Sequence, residues 1–165
     1  MASTSSSSPL PETSPSGAGR RIGIVAARWH GIIVDALLDG AVQTLRSAGV
    51  RDQDVVIVRC PGSYEIPVCV KAIAMEQRVD AVIALGVVIR GDTAHFEYVS
   101  SPVAHSLMDI AVETGVPCLF GVLTTDTVEQ AEARAGGVHG NKGSEAAVGA
   151  LEMADVMERL RSEKP

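Results

Sequence analysis

The feature of this sequence that most constrains its fold is a set of four short apolar runs separated by longer segments of helical periodicity. The runs cover residues 22–27, 54–58, 80–85 and 117–123. They are apolar at nearly every position rather than at alternate ones, which is typical of strands covered by helices on both faces of a parallel sheet. We therefore predict an α/β protein, a three-layer α/β/α sandwich around a four-stranded parallel sheet.

The segments between the runs carry apolar residues at the i, i+3 and i+4 spacing of helices that pack on one face. Five helices are predicted, at 33–48, 67–77, 95–114, 127–136 and 143–161. Gly49, Gly115 and the Gly136-Gly137 pair supply helix ends, and Thr127 opens a capping-box spacing.

The chain divides into two parts by composition. Residues 1–20 are rich in Ser and Pro, a composition that buries too little apolar surface to fold, so we predict a disordered tail there and one domain over 21–165. The start of the chain has neither the basic and apolar pattern of a signal peptide nor the scattered Arg of a transit peptide. We expect a cytoplasmic protein.

Charge and cysteine content exclude several function classes. Fourteen Lys and Arg against 20 Asp and Glu give a net charge of −6, the wrong sign for holding nucleic acid through its phosphates. No apolar run approaches the roughly 18 residues of a membrane helix. The three cysteines form no CxxC pair, so we expect reduced thiols, no disulfide framework and no metal site. No motif indicates a cofactor.

Ligands of open parallel sheets bind beyond the carboxyl ends of the strands, and several aromatic residues fall there. Trp29 follows the first run, Tyr64 the second, and Phe96 and Tyr98 the third. Phe96 fits the apolar stripe of its helix and is interpreted as a packing residue. Trp29 fits no stripe, so its ring is either a stacking surface for a flat heterocycle or a contact with another subunit.

The segment 86–95 joins the third run to its helix and contains two glycines. Asp92 or Thr93 is a suitable N-cap, and the free N–H groups of the first helical turn suit a phosphate, although a plain capped turn fits the spacing equally well. His95 would lie beside such a ligand and could transfer protons. Arg134 could pair with a phosphate or stabilise the end of its own helix. His105 and His139 are interpreted as structural.

Four segments taken together resemble the lumazine synthase family. They are Pro-Gly-Ser-Tyr-Glu-Ile-Pro at 61–67, Gly-Val-Val-Ile-Arg-Gly-Asp-Thr-Ala-His-Phe-Glu-Tyr at 86–98, Phe-Gly-Val-Leu-Thr-Thr-Asp-Thr at 120–127, and residues 129–143 with their Gly-Asn-Lys-Gly ending. The resemblance covers about residues 21–157. It implies flavodoxin-like winding of the sheet.

The resemblance also implies an activity, the penultimate step of riboflavin synthesis. In that step 5-amino-6-(D-ribitylamino)uracil condenses with 3,4-dihydroxy-2-butanone 4-phosphate to 6,7-dimethyl-8-ribityllumazine, releasing phosphate and water without a metal or an organic cofactor. The family's functional residues fall on the following positions of this chain: Trp29 stacked on the pyrimidine; Ser63, Tyr64, Glu65 and the backbone of Val87, Val88 and Ile89 around the ring and ribityl chain; Lys142 at the ribityl end; Asp92, Thr93 and Arg134 on the phosphate; and His95 as the proton-transfer residue.

Assembly follows from the same resemblance. It implies a homopentamer, with Phe120 entering the site from a neighbouring subunit and riboflavin synthase as a candidate partner. Because residues 134–143 carry no insertion, we predict a shell of sixty subunits. Two alternatives compete with the enzyme, a non-catalytic flavin- or lumazine-binding shell protein and a flavodoxin-like electron carrier. Thr93, His95 and Arg134 favour the enzyme over the shell protein, because a pure binder needs no phosphate or proton-transfer residues.

Overall fold

A computed structural model of the protein describes residues 15–76 and 78–162. Most of the predicted tail and the predicted end of the second helix at Gln77 lie outside the described residues. Residues 15–20, which belong to the predicted tail, contact the domain. The Gly17 N–H donates to the Ala48 carbonyl over 2.8 Å, and the Arg20 guanidinium pairs with Asp155 and Glu158. The division into a tail of 1–20 and a domain of 21–165 stays a prediction.

In the part of the chain that the structure describes, the central sheet has four parallel strands, β1 (Ile22–Ala27), β2 (Val55–Cys60), β3 (Ala81–Ile89) and β4 (Cys118–Thr125), in the order β2-β1-β3-β4. Ile24 at the centre of β1 pairs with Ile57 of β2 and Ile83 of β3. The strand order confirms the predicted parallel sheet and its flavodoxin-like winding. β2 and β4 form the two edges.

Within the described residues, five α-helices cover the sheet: α1 (Gly31–Ser47), α2 (Ile66–Glu76), α3 (His95–Thr114), α4 (Val128–Glu132) and α5 (Lys142–Ser162). Helices α1 and α5 pack on one face, where Ile24, Leu37 and Leu151 belong to one core cluster. Helices α2 and α3 pack on the other, around Val82, Ile66 and Leu107. The three predicted layers are therefore confirmed, and each face of the sheet has its own apolar core.

The predicted fourth helix is wrong in its extent. Helix α4 ends at Glu132, and the chain then forms a small antiparallel hairpin of β5 (Ala135–Gly137) and β6 (Gly140–Asn141). Gly136 and Gly140 adopt φ values of +110° and +73°, which glycine reaches without steric cost. The glycines that we interpreted as a helix stop therefore build a turn back towards α5.

Two predictions about the segment after the third strand also need correction. β3 continues to Ile89, so residues 86–89 are strand rather than loop, because β4 extends to Thr125 and pairs with them. The N-cap of α3 is Ala94, without a side-chain hydrogen bond, rather than Asp92 or Thr93. The Thr93 hydroxyl accepts a long hydrogen bond of 3.4 Å from the His95 N–H instead.

Candidate functional site

Trp29, Ser63, Tyr64, Glu65 and Val87 lie at or beyond the carboxyl ends of β1, β2 and β3, and we call this part of the surface the carboxyl-end crevice. Backbone hydrogen bonds join its first two loops, since the N–H groups of Arg28 and Trp29 both donate to the Pro61 carbonyl. Trp29 is 70% exposed and Tyr64 is 62% exposed. Two large rings thus stand in solvent above the sheet, where a flat heterocycle could stack on them.

The floor of the carboxyl-end crevice is tightly packed. Ser63 is buried, and its hydroxyl lies 3.5 Å from the Val87 carbonyl oxygen. A side chain at Gly86 would place its Cβ 2.6 Å from that hydroxyl, so only glycine fits there. The Glu65 carboxylate accepts a 2.9 Å hydrogen bond from the Gly62 N–H and so holds the loop in shape. Val87 and Val88 are buried, which leaves their backbone as the part that could face a ligand.

Asp92, Thr93 and His95 are exposed and lie in the turn between β3 and α3. His95 is the first residue of α3, so its backbone belongs to a helix N-terminus, where N–H groups without helical partners favour anions. The arrangement suits a phosphate beside an imidazole. Both would be reached from solvent.

A second concave surface lies along the open edge of β4, here called the β4-edge cavity. It has a volume of about 400 Å³, and its lining includes Phe120, Thr125, Arg134, Lys142 and Glu145. Phe120 is 46% exposed. Arg134 Nη1 donates a 2.9 Å hydrogen bond to the Gln130 carbonyl, and the Lys142 ammonium pairs with Glu145 at 2.7 Å. Two cations beside an exposed ring make this a surface for a phosphorylated or hydroxyl-rich ligand.

The Gly-Asn-Lys-Gly segment explains how Lys142 reaches this cavity. The Asn141 side-chain oxygen accepts hydrogen bonds from the N–H groups of Gly143 and Ser144, which caps α5. Its amide nitrogen donates to the Ala36 carbonyl of α1 over 2.9 Å. A Cβ at Gly143 would overlap the Leu37 carbonyl oxygen, so the two helices approach at a glycine. The segment therefore locks α5 against α1 with Lys142 facing outward.

One chain does not bring all the predicted site residues together. Phe120, Arg134 and Lys142 share the β4-edge cavity, whose lining includes none of the carboxyl-end crevice residues. Phe120 pairs with Ala84, five residues before the end of β3. At about 3.3 Å per residue it lies roughly 16 Å below the carboxyl ends of the strands. The predicted residues thus form two separate groups on one chain, called half-sites below.

In the described part of the chain, no helix is long and apolar enough to cross a membrane. The same residues contain no group of three or more His, Cys, Asp or Glu side chains that could hold a metal ion.

Comparisons with known proteins identify the family. Residues 19–158 match the family model described as 6,7-dimethyl-8-ribityllumazine synthase. The chain belongs to this family.

Individual relatives agree with the family model. The protein of that name from Aquifex aeolicus (strain VF5) is 49% identical over 143 residues, covering 87% of this chain and 93% of the relative. Those from Desulfotalea psychrophila and Xanthomonas oryzae pv. oryzae are 48% and 49% identical, covering 87% and 85% of this chain and 92% and 91% of theirs. Lumazine synthase family membership makes the chain an enzyme, a transferase of riboflavin biosynthesis. The non-catalytic shell protein and the electron carrier are not favoured.

Sequence reasoning missed two charged residues near the lumazine synthase motifs. Glu145 lines the β4-edge cavity and pairs with Lys142. Arg90 joins the end of β3 to the segment after β4, with its guanidinium between Asp126 and Glu97. The i, i+3 spacing of Lys142 and Glu145 on a predicted helix could have indicated the first pair. Nothing in the local sequence indicates the second, because Asp126 is 36 residues away.

Proposed function

We propose that the protein condenses 5-amino-6-(D-ribitylamino)uracil with 3,4-dihydroxy-2-butanone 4-phosphate to 6,7-dimethyl-8-ribityllumazine, with release of phosphate and water. The observation that carries this proposal is the family match over residues 19–158, a span that includes every residue we assign to substrate. The carboxyl-end crevice and the β4-edge cavity support it with the chemistry that each substrate needs.

The pyrimidine binds in the carboxyl-end crevice. The exposed Trp29 ring offers the flat apolar surface that a uracil ring stacks on, and Tyr64 lines the same opening. Because Val87, Val88 and Ile89 belong to β3 with largely buried side chains, their backbone groups are the ones that meet the edge of the pyrimidine. Ser63 and Glu65 hold this loop and backbone in place, and Lys142 takes the ribityl end.

The sugar phosphate binds where its charge can be neutralised. Asp92 and Thr93 lie in the turn whose helix N-terminus favours an anion, and Arg134 supplies a planar donor that can hold a phosphate through two hydrogen bonds. When the phosphate is bound there, the ketone carbon of the four-carbon substrate lies beside His95. The imidazole can exchange protons there near neutral pH.

The reaction then needs mainly orientation and proton transfer. The 5-amino group attacks the ketone, and water leaves as an imine forms. Loss of a proton from the hydroxyl-bearing carbon beside the imine then expels phosphate from the terminal carbon, while Arg134 and the helix N-terminus stabilise its charge. The enol that remains becomes a methyl ketone. The ribitylamino nitrogen attacks this new carbonyl, and loss of a second water closes the second ring. Two oriented reactants gain several kcal/mol from proximity alone, so a site with one His and no strong nucleophile is sufficient. No metal or organic cofactor enters this scheme.

We propose that the complete site lies between two subunits of a homopentamer. The separation of the two half-sites on one chain supports a shared site, with Phe120, Arg134 and Lys142 reaching the carboxyl-end crevice of a neighbour. An exposed apolar face supports the association itself. Its members, all large apolar residues on α2 and α3, are Val68, Met75, Met108 and Val112. Such a face costs free energy in water and is typical of an interface.

Larger assembly and location are further proposals. The hairpin over 135–141 is short, with no insertion, which supports closure of twelve pentamers into a shell of sixty subunits. Riboflavin synthase, a flavin-pathway enzyme, stays a candidate partner. The three free cysteines, Cys60, Cys69 and Cys118, suit the reducing cytoplasm. Sedimentation that shows only pentamers in several buffers would exclude the shell.

The test of the activity is to mix purified protein with both substrates and follow lumazine formation by absorbance. We expect product well above the spontaneous rate, and large losses in the variants His95→Ala and Arg134→Ala. A wild-type protein that binds the pyrimidine tightly and forms no lumazine above background would contradict the proposal and favour the binding shell protein.

A further inference from the structure

Arg90 lies between the turn that carries His95 and the segment that leads to Arg134 on the same chain. Its backbone N–H donates to the Thr125 carbonyl at 2.9 Å, just beyond the ends of β3 and β4. Its Nε donates to Asp126 Oδ1 at 3.0 Å, and its Nη1 donates to Glu97 Oε1 at 2.5 Å. The guanidinium carbon lies 4.1 Å from the centroid of the Phe96 ring. We call Arg90, Phe96, Glu97 and Asp126 the Arg90 clamp.

On one side the Arg90 clamp fixes the first turn of α3. Phe96 and Glu97 directly follow His95. The Phe96 ring stacks on the guanidinium and the Glu97 carboxylate accepts a hydrogen bond from it, and both contacts fix the orientation of this turn. The N-cap residue Ala94 makes no side-chain hydrogen bond, so the turn lacks the usual restraint at its start. The hydrogen bond to Arg90 lowers the pKa of Glu97 below its ordinary value, so this carboxylate is ionised at neutral pH.

On the other side the Arg90 clamp is connected through Asp126 and Gln130 to Arg134, the residue proposed to bind the phosphate. The Asp126 carboxylate accepts the hydrogen bond from Arg90 Nε, and the Asp126 N–H donates to Gln130 Oε1 at 3.0 Å. The backbone carbonyl of Gln130 in turn accepts the 2.9 Å hydrogen bond from Arg134 Nη1. A continuous chain of contacts thus runs from the turn that carries His95 to the side chain of Arg134.

We propose that Arg90 is a positioning residue for the condensation, which holds the His95 turn and the Arg134 side chain in their working geometry without touching substrate. This inference rests on the proposed function. The inference requires a guanidinium at this position. The guanidinium donates to two carboxylates in different directions while its flat face covers the Phe96 ring, and an ammonium cannot make all three contacts.

Fold stability alone does not account for such an arrangement. The Arg90 side chain is 44% exposed and its two partners are more exposed still. Ion pairs between exposed side chains contribute little to stability, because water screens them. Geometry is more sensitive, since a displacement of about 1 Å in a catalytic group can lower a rate about 100-fold.

The first experiment compares Arg90→Met, Arg90→Lys and a matched control, Arg46→Met, in steady-state kinetics. Arg46 also forms an exposed ion pair, with Asp52, but lies in the last turn of α1, about 22 Å along that helix from the site. We expect Arg90→Met to lower kcat about 10- to 100-fold while the KM of the pyrimidine changes less than about threefold. Arg90→Lys should lose most of the same activity, and Arg46→Met none.

A double-mutant cycle identifies the route of the effect. Asp126→Asn should lower kcat in the same direction, and Arg90→Met/Asp126→Asn should be no slower than Arg90→Met alone, because the two residues act as one unit. Unchanged kcat in Arg90→Met would overturn the inference. So would a raised KM for the phosphorylated substrate that Arg90→Lys restores, since that result means direct contact with the phosphate.

A second measurement needs no activity and separates this inference from the proposed function. Hydrogen–deuterium exchange of the peptide covering 91–98 should be about 10-fold faster in Arg90→Met than in wild type and unchanged in Arg46→Met. If the wild type makes no lumazine, the proposed function fails, and the exchange result still decides whether Arg90 holds the turn. Equal exchange in all three proteins overturns the inference even if the enzyme is active.

Discussion

The carboxyl-end crevice and the β4-edge cavity belong to the same chain but consist of different types of residue. The crevice places exposed aromatic rings over a floor of backbone groups and a buried Ser63. The cavity places an Arg and a Lys beside one half-exposed ring, with Glu145 balancing part of their charge. The first suits a flat heterocycle and the second a charged or hydroxyl-rich chain. We therefore expect that neither region performs the condensation on its own.

Mixed oligomers give the sharpest way to break this comparison. His95→Ala damages one half-site and Arg134→Ala the other, so each variant alone should be nearly inactive. Co-assembled in equal amounts, they should regain about a quarter of wild-type activity, because each half-site is intact in about half of the subunits. Activity is followed by lumazine absorbance. If one chain supplied both halves, the mixture would stay at the level of the separate variants.

The outcome bears on what the sequence can predict. The four strands and their parallel arrangement follow from runs such as 22–27, where burial on both faces demands continuous apolar residues. The division into two half-sites does not follow, because the sequence places Phe120 and Trp29 on one chain without the distance between them. The early end of α4 at Glu132 was also missed, since the helical pattern gives no warning that Gly136 and Gly140 adopt positive φ.

Side-chain partners were the least predictable part. The link from Arg90 to Asp126 depends on the register that pairs Ile89 with Thr125, and a one-residue shift would abolish it. The predicted N-cap at Asp92 or Thr93 was wrong for a related reason. Local spacing favoured a capping side chain there, whereas in the folded chain the contacts of Phe96 and Glu97 with Arg90 hold the turn. Tertiary contacts thus replaced a local one.

The packing beneath the β4-edge cavity can be tested by two glycine substitutions in α5. Gly143→Ala would force α5 away from the Leu37 carbonyl and should lower the free energy of unfolding by about 1–3 kcal/mol. Gly149→Ala is the matched control, because its Cβ would meet only the flexible end of Leu119 at 3.3 Å. Alanine also has a higher helix propensity than glycine, which should offset the cost of that contact by up to about 1 kcal/mol. Urea unfolding at one protein concentration measures both, and equal losses would contradict the close approach at Gly143.

The aromatic character of the carboxyl-end crevice is tested at Trp29. Trp29→Ala removes the stacking surface and should raise the KM of the pyrimidine about 10-fold, which corresponds to about 1.4 kcal/mol. Trp29→Phe keeps a ring and should stay within about threefold of wild type. The KM of the phosphorylated substrate should change little in either variant. An equal loss for both substrates would mean that Trp29 supports the subunit contact rather than the pyrimidine.

The smallest expected effect compares the buried thiol of Cys60 with the half-buried thiol of Cys118 on the edge strand β4. Burial raises the pKa of Cys60, at the end of β2 below the carboxyl-end crevice, to about 11, and that of Cys118, at the start of β4, to about 11. The ordinary thiol value is 9.0. Below pH 9 both thiols are neutral in the folded and the unfolded chain, so their contribution to stability is fully present.

Between about pH 9 and 11 the unfolded chain ionises first, so stability falls as the pH rises, and the loss levels off above the folded pKa. Because Lys and Tyr titrate in the same range, the readout is the difference between wild type and variant in the urea midpoint at pH 8 and pH 10.5. Cys60→Ala and Cys118→Ala should each show a shallower decline than wild type, and by similar amounts. If the decline of Cys118→Ala alone equals that of wild type, water reaches the Cys118 thiol at the edge of β4, and the edge strand then admits more water than the end of β2.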